Sequence, residues 1–180
     1  SKSLSPKRFE DIVALVALIR PGPLGAGMHT EFADRANGRK DIEYLHPDLE
    51  NVLGETYGVI LYQEQVMQVA EKIAGFNLQE ADNLRVAMGK KIPKIMEEQR
   101  IKFTNGASAK GYSEIFSSEL FDQIAYFAGY GFNKSHSVPY ALLAYQTAYL
   151  KANFPAEYIS ACLTAVKRDK DRTAIFLSEA

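Results

Sequence analysis

Along this chain apolar residues recur at intervals of three and four, the spacing of one helix face, and the runs are punctuated by glycine and proline. The pattern predicts a helix over residues 8–20, entered through Ser5-Pro6 as N-cap and first-turn proline and ended by Arg20-Pro21-Gly22-Pro23. That ending reads as a stiff loop, because φ is fixed at Pro21 and Pro23 while Gly22, Gly25 and Gly27 permit unusual backbone. A short helix over 30–37 closes at Gly38, and His46-Pro47 opens another through Leu53 to Gly54. Residues 63–74 carry Val66, Met67, Val69, Ala70, Ile73 and Ala74 at helical spacing, with Gly75 as the stop. Asn77 with Glu80 three residues later forms a capping box for a helix through Met88, with Gly89 at its C-terminal end. Pro93 starts a long polar-faced helix to about Ala109; further helices are expected over 113–128, 137–151 and 155–166, and a last one from near Asp169. Residues 57–62 alone look strand-like, and so short a run makes at most one extended segment.

Connections between these runs are short, and neither a solenoid-period repeat nor a low-complexity linker interrupts them. The expected fold class is therefore all-α, a single helical domain over 1–180. A hydrophobic content of 47% is ample for a core. The longest apolar run, residues 12–19, falls far short of the roughly 20 residues a membrane helix needs, so no membrane partner is expected. Cys162 is the only cysteine and lies in an apolar run, which excludes an intramolecular disulfide and points to a reducing, cytoplasmic setting. The chain opens Ser1-Lys2-Ser3-Leu4 and stops inside a helical pattern, so it reads as part of something longer.

The formal net charge is -1, which gives no long-range attraction for a polyanion; the distribution of charge is what matters. Residues 85–110 hold Arg85, Lys90, Lys91, Lys94, Arg100, Lys102 and Lys110 against Glu97 and Glu98, a local balance of +5, whereas residues 31–55 lean acidic. Two stretches set cations and hydroxyls beside glycine at the end of a helical pattern: Leu84-Arg85-Val86-Ala87-Met88-Gly89-Lys90-Lys91 and Gly129-Tyr130-Gly131-Phe132-Asn133-Lys134-Ser135-His136-Ser137. In the first, Arg85 suits charge-assisted, bidentate contact with phosphate, and Lys90 and Lys91 add point charges. Cations there equally suit the negative end of the helix dipole. In the second, Asn133, Lys134, Ser135 and His136 precede a helix whose free amides suit an anion, while Asn133 or Ser137 serve as well for plain N-caps.

Neither stretch is a known glycine-rich nucleotide loop. Gly89-Lys90-Lys91 lacks the preceding strand and glycine of a P-loop, and Gly129-Tyr130-Gly131 lacks the third glycine of a dinucleotide site. His29, His46 and His136 show no metal-ligand spacing, and the pairs Glu97-Glu98 and Asp169/Asp171 read as solvated helix faces, so neither a metal site nor a catalytic residue is expected. Tyr126, Phe127, Tyr130 and Phe132, followed by Tyr140, Tyr145 and Tyr149, make an aromatic-rich zone whose helical spacing reads as mostly core, with one or two faces near 130–132 open for base stacking.

Several words of this sequence together resemble the bacterial replicative, C-family DNA polymerases, the DNA polymerase III alpha subunits. They are Arg20-Pro21-Gly22-Pro23-Leu24; Thr56-Tyr57-Gly58-Val59-Ile60-Leu61-Tyr62-Gln63-Glu64-Gln65-Val66-Met67; Ala87-Met88-Gly89-Lys90-Lys91; Phe127-Ala128-Gly129-Tyr130-Gly131-Phe132-Asn133-Lys134-Ser135-His136; Ala144-Tyr145-Gln146-Thr147-Ala148-Tyr149-Leu150-Lys151; and Pro155-Ala156-Glu157-Tyr158. They run in family order over nearly the whole chain. The resemblance implies a helical fingers domain, a piece of a longer DNA-directed DNA polymerase, closing over the incoming deoxynucleoside triphosphate in DNA replication. It implies that Arg85, Lys90 and Lys91 face the triphosphate, and that Asn133, Lys134, Ser135 and His136 line the pocket with His136 near the sugar. It further implies that Mg2+ is held by palm aspartates outside this chain, so that the piece alone is inactive. Primer-template DNA, deoxynucleoside triphosphates, the other polymerase domains and replisome subunits are the implied partners.

Two positions depart from that family: Val86 stands where a second cation is usual, and Pro139 where a small helix former is usual, at the first turn of a helix from Ser137. The Gly89-Lys90-Lys91 corner looks more like the replicative branch than the error-prone one. The alternative is a helical nucleic-acid-binding module that lays the stripe 85–110 on backbone phosphates without nucleotide specificity. A domain serving only internal packing is a third.

Overall fold

The computed structural model describes residues 4–90, 92–127 and 129–179. The helices are α1 (Phe9–Leu18), α2 (Pro21–Gly25), α3 (Met28–Ala36), α4 (Glu50–Leu53), α5 (Gln63–Ala74), α6 (Leu78–Lys90), α7 (Pro93–Ala109), α8 (Glu114–Phe127), α9 (Lys134–Asn153), α10 (Pro155–Val166) and α11 (Lys170–Glu179). Among the described residues the only sheet-type pairing is an isolated parallel bridge between Tyr62 and Phe132. The all-α expectation holds.

Local signals place most of these helices. Gly75 takes φ +69° and ends α5, where the Phe76 amide reaches back to the Ala70 carbonyl. Asn77 and Glu80 close the predicted capping box reciprocally, at 2.9 Å each way. Pro93 and Pro155 sit in the first turns of α7 and α10. Four expectations need correction. The first helix starts at Phe9, because the buried Asp11 reaches back to the amides of Lys7 and Arg8 and caps it. Residues 21–25 form a short helix rather than a loop, Pro21 supplying helical φ at the first position. Gly89 lies inside α6, which runs on to Lys90. α9 begins at Lys134, three residues before Ser137, so Pro139 is in the helix interior instead of the first turn.

By chain contacts the structure divides into two compact units, one ending at Val138 and one beginning at Pro139. In the first, α5 is the central helix, flanked by α4, α6 and α7, with α8 on the far side of α7. Val66, Val69, Ile73, Leu84, Phe103 and Phe121 are among the side chains that fill its core. α5 and α7 approach closely at Gly106, where an added Cβ would strike the Ala74 carbonyl. A second buried group joins α1 and α3 through Val13, Ala17, Leu18, Met28 and Phe32. In the second unit α10 and α11 pack together across a short connection, and the Asp169 carboxylate caps α11 by accepting the Arg172 amide at 3.1 Å.

Of the strand-like run 57–62, Tyr57 and Gly58 form a left-handed turn with φ +54° and +79°, and the remainder has almost no sheet partner, because a side chain replaces one. The buried Gln65 carboxamide oxygen accepts the amides of Leu61 and Tyr62 at 2.9 and 3.0 Å. Its nitrogen donates to Thr56 Oγ1 at 2.7 Å and to the Val52 carbonyl at 3.3 Å. This satisfied network fixes the entry to α5.

Candidate functional site

The buried Leu84 and Met88 anchor α6 and leave Arg85, Val86 and Lys90 on its outer side. The Arg85 guanidinium is paired within its own helix: Nε and Nη2 reach Asp82 Oδ1 at 2.8 and 2.7 Å. Lys90 is exposed, ends the helix, and has no acidic or carbonyl partner among the described residues. Lys91 lies outside the described residues.

The rest of the basic stripe is consumed by the fold. Arg100 pairs with Asp122 of α8, Lys102 Nζ with Glu80 at 2.7 Å, and Lys110 Nζ with carbonyls at the end of α5. Only Lys90 and Lys94 of the described cations in 85–110 remain without such a partner. A face whose charges are matched by Asp82, Glu80 and Asp122 is a poor landing strip for a phosphate backbone, which needs unpaired cations in series.

The second stretch docks on the N-terminus of α5. The Phe132 amide donates to the Leu61 carbonyl at 3.2 Å and the Gln63 amide to the Phe132 carbonyl at 2.9 Å. One link further, the Lys134 amide donates to both Glu64 carboxylate oxygens, at 3.1 and 3.0 Å. Asn133 is the N-cap of α9, its Oδ1 accepting the His136 amide at 3.0 Å. The capping alternative raised from the sequence is thus realised at Asn133, and the free amide at Lys134 is taken by an internal carboxylate. Lys134 Nζ pairs with Glu55 Oε2 at 2.7 Å and lies 5.6 Å from the centre of the Tyr62 ring. Ser135 and His136 are exposed in the first turn, with the His136 ring edge-on to Phe132 at 5.7 Å. Ser137 is fully buried, and its hydroxyl has no partner among the described residues.

Arg20, which the sequence reading did not single out, belongs to this neighbourhood. Its Nη2 donates to the Tyr130 carbonyl at 2.6 Å, its Nε to the Ala17 carbonyl at 2.9 Å, and its guanidinium lies 4.5 Å above the Phe132 ring. Burial lowers its pKa, and no carboxylate among the described residues neutralises it. Gly22 lets the Tyr130 ring come against this corner, since a Cβ there would lie 2.7 Å from the ring. One face of Phe132 is covered by Arg20 and Tyr130 is half-buried, whereas Tyr126, Tyr140, Tyr145 and Tyr149 are exposed, which corrects the expectation that the aromatic zone is mostly core.

Topology relates the two stretches. α5 and α6 are joined by residues 75–77 and pack side by side, so they form an antiparallel hairpin of nearly equal arms. The C-terminal end of α6, with Arg85 and Lys90, therefore returns toward the N-terminus of α5, where residues 131–134 are docked. Arg85 and Lys90 form no hydrogen bond or ion pair with Asn133, Lys134, Ser135 or His136. The two groups share an end of the hairpin without touching.

The largest described cavity, about 650 Å3, lies elsewhere, between α3 and α8, and includes none of Arg85, Lys90, Asn133, Lys134, Ser135 and His136, although Tyr126 and Phe127 of the aromatic zone line it. Glu31, Glu119 and Asp122 line it against Arg35, and Glu31 already holds Arg35 and Lys40. That lining repels a polyanion. The described residues contain no grouping of His, Cys, Asp or Glu able to hold a metal ion, and no described helix is long and apolar enough to cross a membrane.

A family described as the bacterial DNA polymerase III alpha subunit finger domain matches residues 1–111. The chain is 52% identical over 177 residues to the DNA polymerase III subunit alpha of Escherichia coli K12, covering 96% of this chain and 15% of that protein. It is 51% identical over 176 residues to the same subunit of Campylobacter jejuni, covering 98% of this chain and 15% of that protein. Against the subunit of Mycobacterium tuberculosis H37Rv it is 47% identical over 182 residues, covering 99% of this chain and 15% of that protein. The chain thus spans about 15% of the length of these curated relatives.

Proposed function

This chain belongs to the bacterial DNA polymerase III alpha subunit family, matching its finger domain, and from that premise we propose that it binds the triphosphate of an incoming deoxynucleotide during template-directed primer extension. One observation carries the reading: the α5/α6 hairpin returns Arg85 and Lys90 to the end where Lys134 and the start of α9 are docked, and Arg20 adds a guanidinium that no carboxylate among the described residues neutralises. Positive groups from the junction of α1 and α2, from α6 and from α9 then face a single polyanion instead of a long backbone. Arg85 and Lys90 take phosphate oxygens, Lys91 adds charge from the same corner, and Asn133, Ser135 and His136 supply the polar wall toward the sugar.

The chemical contribution is electrostatic. In phosphoryl transfer negative charge grows on the leaving pyrophosphate, and cations already fixed in place stabilise it without reorganising. Mg2+, which supplies Lewis-acid activation in such reactions, does not fit the residues present: it takes carboxylate oxygens, and here Glu55 and Glu64 are committed to Lys134. Its ligands would lie in parts of the polymerase outside this chain.

The test is single-turnover nucleotide incorporation by a full-length alpha subunit carrying this chain. Arg85→Ala is expected to lower incorporation efficiency at least about tenfold, equivalent to about 1.4 kcal/mol, through a weaker apparent affinity for nucleotide. Unchanged kinetics would remove Arg85 from the triphosphate site.

A further inference from the structure

The wall that would receive phosphate is already occupied by the protein's own anions. Lys134 is its only side-chain cation, and Glu55 Oε2 holds the Nζ at 2.7 Å. The amide at the start of α9, the other group suited to an anion, is held by Glu64. Two carboxylates thus converge on Lys134, Glu55 on its ammonium and Glu64 on its backbone amide, and the pairing is incomplete on the acidic side: Glu55 Oε1 is buried with no hydrogen-bond partner among the described residues. The hydroxyl of Tyr62, a residue only 1% exposed, is also buried without a partner among the described residues. Lys134 Nζ lies 2.7 Å from Glu55 Oε2 and 5.6 Å from the centre of the Tyr62 ring, so the Glu55 carboxylate and this ring share one neighbourhood; burial raises the Tyr62 pKa, and the charges of Glu55 and Glu64 raise it further. Each native protein buries few unsatisfied polar groups, so a donor and an acceptor left unmatched in one neighbourhood indicate a second arrangement of the same side chains.

We propose that Glu55 is a built-in competitor for nucleotide phosphate: in the absence of ligand its carboxylate occupies Lys134, and a triphosphate oxygen binds there only by displacing it. When Lys134 turns to the phosphate, Glu55 is left beside the Tyr62 hydroxyl, which supplies the hydrogen bond it lacks at present. The carboxylate thereby lowers the affinity for every anion that reaches Lys134, and only a ligand making further contacts, to Arg85 and Lys90 at the other side, overcomes it. Glu55 sets selectivity through this opposition. The proposal rests on the assignment of Lys134 to the nucleotide site made above.

Competition and support predict opposite signs, which makes the idea testable. Glu55→Gln keeps the shape of the side chain and removes the charge. In primer extension by a full-length alpha subunit carrying this chain, Glu55→Gln should lower the KM for deoxynucleotide about two- to fivefold with kcat unchanged, the range expected for a half-exposed ion pair. The gain should vanish in a Lys134→Ala background. Should Glu55→Gln raise KM or leave it unchanged while Lys134→Ala raises it, Glu55 merely braces Lys134; the proposal is overturned and the nucleotide site stands. If Lys134→Ala itself leaves KM unchanged, the assignment of Lys134 fails and the proposal fails with it. Melting temperatures of both variants, expected to stay near that of the parent for Glu55→Gln, separate an affinity change from a folding defect.

Discussion

Removing the Glu64 carboxylate should loosen the start of α9 from α5 without unfolding either helix. Glu64 accepts the Lys134 amide through both oxygens, a charge-assisted contact at the positive end of a long helix. A hydrogen bond to a charged group contributes about 1.5–3 kcal/mol, and the site is only half-buried, so Glu64→Ala should weaken the docking by about 2 kcal/mol. The remaining ties, the two backbone bonds of the Tyr62–Phe132 bridge and the Asn133 cap, keep the segment in place most of the time. Amide hydrogen exchange reads the change where Glu64 has no direct contact, at the Gln63 and Phe132 amides of the bridge. A loss of about 2 kcal/mol in local opening accelerates their exchange about 30-fold. Glu64→Gln keeps a neutral acceptor and should give a clearly smaller acceleration. If Glu64→Ala leaves both amides as protected as before, the carboxylate is not what holds α9, and the positioning of Lys134 needs another cause.

Gly106→Ala tests the crossing of α5 and α7: a helix-interior alanine would ordinarily gain about 1 kcal/mol over glycine, but here its Cβ meets the Ala74 carbonyl, and backbone cannot swing away. A net loss of about 1–2 kcal/mol in denaturant unfolding is expected; stabilisation would mean that the helices are farther apart. Asp11 offers a pH signature. Burial pushes its carboxyl pKa up, but the amides of Lys7 and Arg8, the Tyr57 hydroxyl at 2.8 Å and the Arg8 side chain outweigh it and hold the pKa below the ordinary range. A depressed carboxylate stabilises the fold fully above its unfolded pKa of about 3.9 and loses that contribution as pH falls through the folded value. Asp11→Asn should therefore cost about 2 kcal/mol at neutral pH and progressively less below about pH 4. A gap independent of pH would assign the effect to packing.

Legibility followed the range of the deciding interaction. Gly75, the Asn77/Glu80 box, Pro93 and Pro155 act within one turn of themselves, and the helix ends they set are legible in the sequence, whereas the far end of α6 is not. The start of α9 was misplaced because Asn133 and Ser137 are equally good local caps, and the choice between them is made by Glu64, far away along the chain. The run 57–62 looked like a strand because its residues favour one; Gln65 satisfies the backbone instead. The stripe 85–110 seemed basic because Asp122 and Glu80, which neutralise it, come from other elements. Arg20 carried one weak signal, a cation abutting the stiff Pro21-Gly22-Pro23 turn, and its partner Tyr130 is invisible from there. At the site, the residue types were legible; their internal pairing with Asp82, Glu55 and Glu64 was not.

The central claim is that the α6 end and the α9 start enclose one nucleotide. Hydrogen exchange of a full-length alpha subunit carrying this chain, bound to primer-template, measures it directly with and without the next complementary deoxynucleotide. The account predicts nucleotide-dependent protection in peptides containing both Arg85–Lys90 and Asn133–His136, absent with a non-complementary nucleotide. Protection of only one stretch, or of neither, would contradict it.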